Sequence, residues 1–323
     1  MNIRRQVTLS TLAIAFGMFG AQPAAAQDYP NKTVRIIVPF SAGGGTDVLA
    51  RALAERAAAK WNQSIVIENK PGANGMIAAA FVAAAPRDGY TLLFSINSFV
   101  LSTLLYEKPT YQLKDFVPVA LVANNFLTFY TSKEIPGNTE REILENMGKR
   151  RNSYASFGVG SFAHLYGELL ARSQKYDMLH VPYKGEVDAV AGLIGGQVDS
   201  TFLGPRAALQ IVPSGKARVL AVAAPKRIES LPTAPTFNEL GLPGLDRGTF
   251  LGLLAPVGTP MSAITRWETV VKEVLLEPAF QARMKVISME VPPGSSSQEF
   301  ARTIDEDVKF WTPLLKSLNL KLD

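Results

Sequence analysis

The chain has 323 residues and a formal net charge of +5, from 33 lysines and arginines against 28 aspartates and glutamates, and it contains no cysteine. This length suits two domains of ordinary size, and the lack of cysteine excludes disulfides and a lipid-anchoring cysteine. The charge excess is small, and the basic run at 149–151 is too short for a nucleic-acid-binding surface, so we expect no nucleic acid partner.

Residues 1–26 have the pattern of a bacterial signal peptide. Arg4 and Arg5 precede an apolar segment at 7–20, and three alanines at 24–26 provide the small residues that a signal peptidase needs. We predict cleavage after Ala26, which removes 26 of 323 residues, leaves 297 and lowers the net charge to +3. No later run is long enough to cross a bilayer, so we expect an exported, soluble periplasmic or secreted protein without a lipid anchor.

The first structural motif is a glycine-rich turn between a strand and a helix. An apolar run at 34–38 predicts a strand, and the apolar face of 48–61 predicts a helix for which Thr46 or Asp47 is a candidate N-cap. Such a turn places unpaired backbone N–H groups at the positive end of a helix dipole, a geometry that binds anions. The candidate ligand contacts are Phe40, Ser41, Ala42, Gly43, Gly44, Gly45 and Thr46. An ordinary strand-to-helix turn with flexible glycines explains the same residues.

The next segments continue the alternation of strand and helix. Residues 64–68 and 90–94 predict strands, and the alanine-rich segment 77–85 between them predicts a helix. Alternation of this kind is typical of a parallel sheet, whose ligands lie beyond the carboxyl ends of the strands. Asn97 and Ser98 follow the third strand and are either ligand contacts on that edge or turn formers.

A second glycine-rich loop follows in the second half of the chain. A long β-rich run at 117–129 can cross between domains, and a polar helix is predicted at 139–151. A short strand at 153–155 then enters a loop and a helix at 162–173. Its candidate ligand contacts are Ser156, Phe157, Gly158, Gly160 and Ser161, with His164 in the first turn of the helix as an anion donor or a packing residue. Two such loops, one in each domain, can face each other across a cleft.

The remaining elements complete the second domain and return to the first. Strands are predicted at 178–182, 198–203, 219–223 and 250–255, and Arg206 follows the second of these as a candidate cation at a strand end. Thr259 and Pro260 predict the start of a helix that ends at Leu276, and Ser296 with Glu299 forms a capping box for the last helix. Two connections between the domains favour hinge closure.

Motifs for catalysis are weak. The sequence at 158–163 fits a dinucleotide-binding pattern only loosely, the G-x-S-x-G and P-loop patterns are absent, and two histidines are a poor metal set. His180 lies inside an apolar strand, which favours a core or interface role over chemistry. We therefore predict no enzyme activity, no cofactor and no metal site.

Seven strings occur in order along the chain: VPFSAGGGTD at 38–47, ENKPGA at 68–73, DGYTLL at 88–93, SFGVGS at 156–161, HVPYKG at 180–185, GGQVD at 195–199 and LLAPVGTP at 253–260. Together they resemble the Bug (TctC-type) family, the periplasmic solute receptors of tripartite tricarboxylate transporters. The resemblance implies an α/β fold of the two-lobed, type II-like periplasmic-binding-protein kind, with two parallel-sheet domains joined by a two-segment hinge. We expect domain 1 at 27–124 and 248–323, and domain 2 at 125–247.

The resemblance also implies a function and a ligand. A small carboxylate, such as an aromatic carboxylate or an aliphatic di- or tricarboxylate, would be held at the two glycine loops and delivered to a membrane permease. Relatives commonly have aspartate in place of Gly204, so its absence argues against an amino-acid ligand, and Phe157 and Phe202, with Phe99 nearby, would make the cleft apolar. The alternatives are a periplasmic sensor acting on a histidine kinase and, with less support, an enzyme that uses the same cleft.

Overall fold

The computed structural model describes residues 29–292, 294–317 and 320–322. The predicted signal peptide at 1–26 lies outside this part of the chain. Among the helices of the described residues, none combines the length and apolar character needed to cross a membrane.

The elements fall into three consecutive runs along the described chain. The first run contains β1 (Val34–Val38), α1 (Gly45–Trp61), β2 (Ile65–Asn69), α2 (Met76–Ala83), β3 (Thr91–Ile96), α3 (Ser98–Leu105) and β4 (Phe116–Asn125). The second contains β5 (Leu127–Ser132), α4 (Glu140–Met147), β6 (Asn152–Ser156), α5 (Phe162–Gln174), β7 (Met178–Pro182), α6 (Glu186–Ile194), β8 (Ser200–Leu203), α7 (Ala208–Ile211) and β9 (Ala217–Ala223). The third contains β10 (Thr249–Pro256), α8 (Met261–Leu275), α9 (Pro278–Val286) and α10 (Ser297–Ser317).

These strands form two five-stranded sheets, and each sheet is the centre of one lobe. The order in lobe 1 is β2-β1-β3-β10-β4, and the order in lobe 2 is β7-β6-β8-β5-β9. The strands β1, β2 and β3 are parallel, as are β6, β7 and β8. However, β10 runs antiparallel to β3 and β4, and β5 runs antiparallel to β8 and β9. The two-lobed α/β fold is confirmed, but the sheets are mixed and not parallel as expected.

The chain crosses between the lobes twice, because the middle run of elements is inserted into lobe 1. The β-rich run at 117–129 is divided at Phe126 into β4 of lobe 1 and β5 of lobe 2. The return segment lies between β9 and β10. The expected domain limits, after residues 124 and 247, fall at these crossings, and they stay a prediction.

The C-terminal helix α10 contacts both lobes. It packs on β4 and α3 of lobe 1, and its buried Trp311 meets the ring of Phe162 in lobe 2 edge to face, with centroids 5.4 Å apart. Arg247, in the return segment, donates two hydrogen bonds to Asp307 of the same helix at 2.7 and 3.0 Å. The second crossing is therefore fixed to the helix by a buried carboxylate.

Local sequence signals identify most elements within a few residues. The capping box that starts α10 is present, since Ser296 N–H donates to the carboxylate of Glu299 and Glu299 N–H donates to Ser296 Oγ. Four details differ from expectation. The helices α3, α7 and α9 have no counterpart among the predicted elements, and α1 begins at Gly45 with Gly44 as its N-cap and no side-chain cap.

Candidate functional site

A cavity of about 50 Å³ lies between the lobes, at the sheet edges where β1, β3 and β8 end. Both lobes and the first crossing contribute its lining: Phe40, Ser41, Gly44, Gly45, Thr46, Ile96, Thr249, Leu251, Met289, Leu127, Phe157, Phe162, Glu186, Gly204 and Asn125. The rings of Phe40 and Phe157 meet across the boundary, with centroids 5.9 Å apart. This volume accommodates about four water molecules at about 12 Å³ each.

The first glycine loop presents the amino end of α1 to this cavity. Gly44 and Gly45 are buried, and Gly45 N–H donates to the carboxylate of Glu186 at 3.2 Å. Because Gly44 provides no capping side chain, the first amides of the helix are left for a group from outside. That group is an oxygen of a carboxylate from the opposite lobe.

Asp47 holds the loop in shape from behind. It is 2% exposed, and its carboxylate accepts hydrogen bonds from Gly43 N–H, Asn69 Nδ2 and Arg51 Nε at 2.9–3.0 Å. Burial acts to raise the pKa of Asp47, but the hydrogen bonds, that from Arg51 above all, together lower it. Asp47 is therefore a buried anion that fixes the loop, and not the helix cap that the sequence suggested.

The second glycine loop is fixed by two stacked histidines. Ser156 Oγ and His180 Nε2 are 2.7 Å apart, and Gly160 N–H donates to His164 Nδ1 at 3.0 Å. The two imidazole rings stack with centroids 4.0 Å apart, and Tyr154 stacks on His180 at 5.0 Å. Desolvation lowers the pKa of His180 to about 3, with a smaller contribution from His164, and desolvation also lowers the pKa of His164. Both rings are thus neutral near pH 7 and support the loop.

Glu186 contributes the charge of the cavity. It is the first residue of α6, directly after Gly185, and it is partly exposed on the side of the cavity. Burial raises the pKa of its carboxyl group, while the hydrogen bond from Gly45 and the charge of Arg206 act to lower it. The carboxylate lies at the amino ends of two helices, α1 and its own α6.

Arg206 contacts the rim of the first loop. Its guanidinium Nη1 donates to the carbonyl of Gly43 at 3.4 Å, from lobe 2 to lobe 1. The side chain does not line the cavity. Arg206 thus makes a contact between the two lobes. The geometry gives no support to its predicted role as a ligand contact.

Of the predicted site residues, Phe40, Ser41, Gly44, Gly45, Thr46, Phe157 and Gly204 line the cavity. Ala42 and Gly43 are exposed at its rim, and Gly158 lines an adjoining recess with Lys184. The other predicted contacts are not among the residues that line this cavity: Asn97, Ser98, Ser156, Gly160, Ser161, His164 and Phe202. The contribution of all these residues to ligand binding stays a prediction.

Several of these residues have structural roles that the sequence did not indicate. Phe202 is fully buried in lobe 2 between Phe129 and Phe237, and Phe99 packs on other aromatic rings in lobe 1. Neither ring makes the cleft apolar, contrary to expectation. Asn97 accepts a hydrogen bond from Thr249 Oγ1 at 2.7 Å, so it orients a side chain that does line the cavity.

Four of the lining residues that sequence reasoning missed have two origins; the others missed are Ile96, Asn125, Phe162 and Met289. Thr249, Leu251 and Leu127 belong to β10 and β5, whose first residues reach the cavity edge because these strands are antiparallel to their neighbours. Glu186 follows the end of β7, the same signal that selected both glycine loops, and could have been found in this way. In the described residues, no cluster of three or more metal-ligating side chains is present.

Comparison with known proteins agrees with this geometry. Residues 49–320 match the family described as the tripartite tricarboxylate transporter family receptor, TctC. The chain belongs to the TctC family. Protein BugT of Bordetella pertussis is 30% identical over 327 residues, covering 100% of both chains.

Three solved structures of similar proteins share the two-lobed fold. The periplasmic binding protein BugD is 34% identical with a TM-score of 0.86, over 91% of this chain and 99% of the other. A Rhodopseudomonas palustris protein solved with adipate is 30% identical with a TM-score of 0.86, over 91% and 99%. MatC of the same organism, with bound malate, is 30% identical with a TM-score of 0.83, over 89% and 100%. This TctC-family protein is accordingly a periplasmic-type solute-binding protein.

Proposed function

We propose that this TctC-family protein captures a small organic acid in the cleft between its lobes and delivers it to the membrane permease of a tripartite tricarboxylate transporter. The family description and the adipate and malate bound by similar proteins support the ligand class and the transport role. The signal-peptide pattern at residues 1–26 supports export to the periplasm.

One observation carries the proposal. The first glycine loop already binds a carboxylate oxygen, because Gly45 N–H donates to Glu186 at 3.2 Å. A backbone N–H at a helix amino end that donates to a carboxylate of the protein can donate to a carboxylate of a ligand. Charge-assisted hydrogen bonds contribute roughly 1.5–3 kcal/mol each. Three or four of them therefore supply the roughly 8 kcal/mol of micromolar binding.

The histidines give no support to an enzymatic role for the cleft. Both rings lie behind the second loop, and each is engaged with a loop residue, Ser156 for His180 and Gly160 for His164. Neither is among the residues that line the cavity. We therefore propose a binding protein that releases its ligand unchanged.

The test is identification of the natural ligand and its location. The protein is purified from its own periplasm, the released small molecules are identified by mass spectrometry, and the mature N-terminus is sequenced. We expect one small organic acid at about one equivalent, dissociation constants in the micromolar range by calorimetry, and a mature chain that starts at Gln27. A ligand-free protein that binds no carboxylate, or that converts a bound acid into another product, would contradict the proposal.

A further inference from the structure

Glu186 is unusual in its surroundings. Among the described residues that line the cavity, it alone carries a charge. The remaining walls are apolar side chains, hydroxyls, one amide and glycine backbone. A carboxylate in such a space needs a partner that supplies positive charge or several hydrogen-bond donors.

The described residues supply Glu186 with one hydrogen-bond donor and with no cation at ion-pair distance. Gly45 N–H donates to Oε2 at 3.2 Å, and within residues 29–292, 294–317 and 320–322 no lysine, arginine or histidine forms an ion pair with Glu186 at 4.0 Å or less. The positive charge of Arg206 acts on Glu186, but its guanidinium group donates a hydrogen bond to the carbonyl of Gly43. Oε1 is therefore available to a molecule in the cavity.

The position of Oε1 next to Gly204 defines a corner of the cavity. A Cβ atom added to Gly204 would lie 3.4 Å from Oε1 of Glu186 and 3.2 Å from Asn125 Nδ2. Tyr130 fixes this corner from behind, because its hydroxyl donates to the carbonyl of Gly204 at 3.0 Å. The empty side chain of Gly204 thus leaves room for a small group in contact with the carboxylate.

We propose that Glu186 is the binding site for an ammonium group of the ligand, so that this protein takes a small amino acid and not a plain carboxylic acid. The inference rests on the proposed function and names its ligand class. The carboxylate of the amino acid accepts hydrogen bonds from backbone N–H groups of the glycine loops. The ammonium group of the amino acid contacts Oε1 of Glu186 in the corner at Gly204. The apolar walls then cover the side chain.

The balance of charges distinguishes this ligand from a plain acid. A second carboxylate beside Glu186 brings two like charges together in a space with few water molecules, which is costly. An ammonium group removes that repulsion and gives Glu186 a cation in direct contact, where the described residues supply only the charge of Arg206, beyond ion-pair distance. This inference departs from the expectation drawn from Gly204, because a carboxylate from another element lies beside the position where relatives have aspartate.

The experiment compares acids that differ only in an amino group. Calorimetry at pH 7.4 measures alanine against propionate, valine against 3-methylbutanoate, aspartate against succinate and glutamate against glutarate. The variants are the wild type, Glu186→Gln and Asp188→Asn. Asp188 lies in the same first turn of α6 but is exposed, so its variant matches the change in charge and leaves the cavity intact.

We expect at least one amino member to bind the wild type and Asp188→Asn tenfold or more tightly than its partner acid. In Glu186→Gln, the preference should fall below about threefold. A plain acid that binds the wild type as tightly as its amino partner in every pair overturns the inference, as does an undiminished preference in Glu186→Gln. In both cases a carboxylate is still bound, so the proposed function stands. If neither member of any pair binds any variant, the inference fails, and the proposed function fails with it if adipate, malate and benzoate also do not bind.

Discussion

Acidification should destabilise the protein through His180. The folded state holds this ring neutral with a pKa of about 3, against an ordinary value of 6.5 in the unfolded chain. Below pH 6.5 the unfolded state binds more protons than the folded state, so stability falls as the pH falls from about 6.5 towards 3. The ring contacts His164, Tyr154 and Ser156, and none of these is an anion that could stabilise the protonated form.

The magnitude follows from the two pKa values. Between pH 7 and pH 5, a shift from 6.5 to about 3 removes about 2 kcal/mol of the free energy of unfolding. Asp307 acts in the opposite sense, because burial raises its pKa to about 6 in spite of its bonds to Arg247. Its contribution increases stability by about 1 kcal/mol over the same range, so the wild type alone shows a smaller net loss.

A comparison of variants isolates the histidine. Urea denaturation at pH 7 and pH 5 is measured for the wild type, His180→Gln and Leu179→Gln. Glutamine at 180 keeps a side-chain donor near Ser156 but does not titrate, and Leu179 is an exposed neighbour on β7 that controls for a polar amide on this strand. The loss between pH 7 and pH 5 should be about 2 kcal/mol smaller in His180→Gln than in the other two proteins. Equal losses in all three would show that His180 is not held neutral by the fold.

Three further outcomes are expected. Gly44→Val should abolish carboxylate binding in a thermal-shift assay without unfolding the apo protein, because its Cβ has no neighbour closer than 3.6 Å and lies 4.0 Å from the Glu186 oxygen that Gly45 N–H binds, so the side chain covers this anion position; unchanged affinity would place the site elsewhere. Gly204→Asp should weaken a dicarboxylate at least tenfold by calorimetry, since it adds a second carboxylate beside Glu186, and an unchanged constant would refute that repulsion. Gly252→Ala should cost about 1–3 kcal/mol in urea denaturation, because the new methyl group would overlap the ring of Phe300; wild-type stability would show that the ring moves aside freely.

Local signals in the sequence were sufficient for most of the elements and for the first loop. Glycine spacing, apolar periodicity and capping residues act over a few positions, so they located β1, α1 and the capping box of α10. They also placed Gly44 and Gly45 at a helix amino end open to an anion, where the structure has a carboxylate. The motif strings identified the family, which the comparisons confirm.

The tertiary structure decided what faces the cavity, because that depends on strand direction and on contacts between distant segments. Antiparallel β5 and β10 bring Leu127 and Thr249 to an edge where a parallel sheet would place strand carboxyl ends. The histidines turn away from the cleft because Ser156 and Gly160 engage them. Glu186 reaches Gly45 across 141 positions of sequence. Only closure of the two lobes brings that carboxylate to the first loop, and no local pattern encodes such a contact.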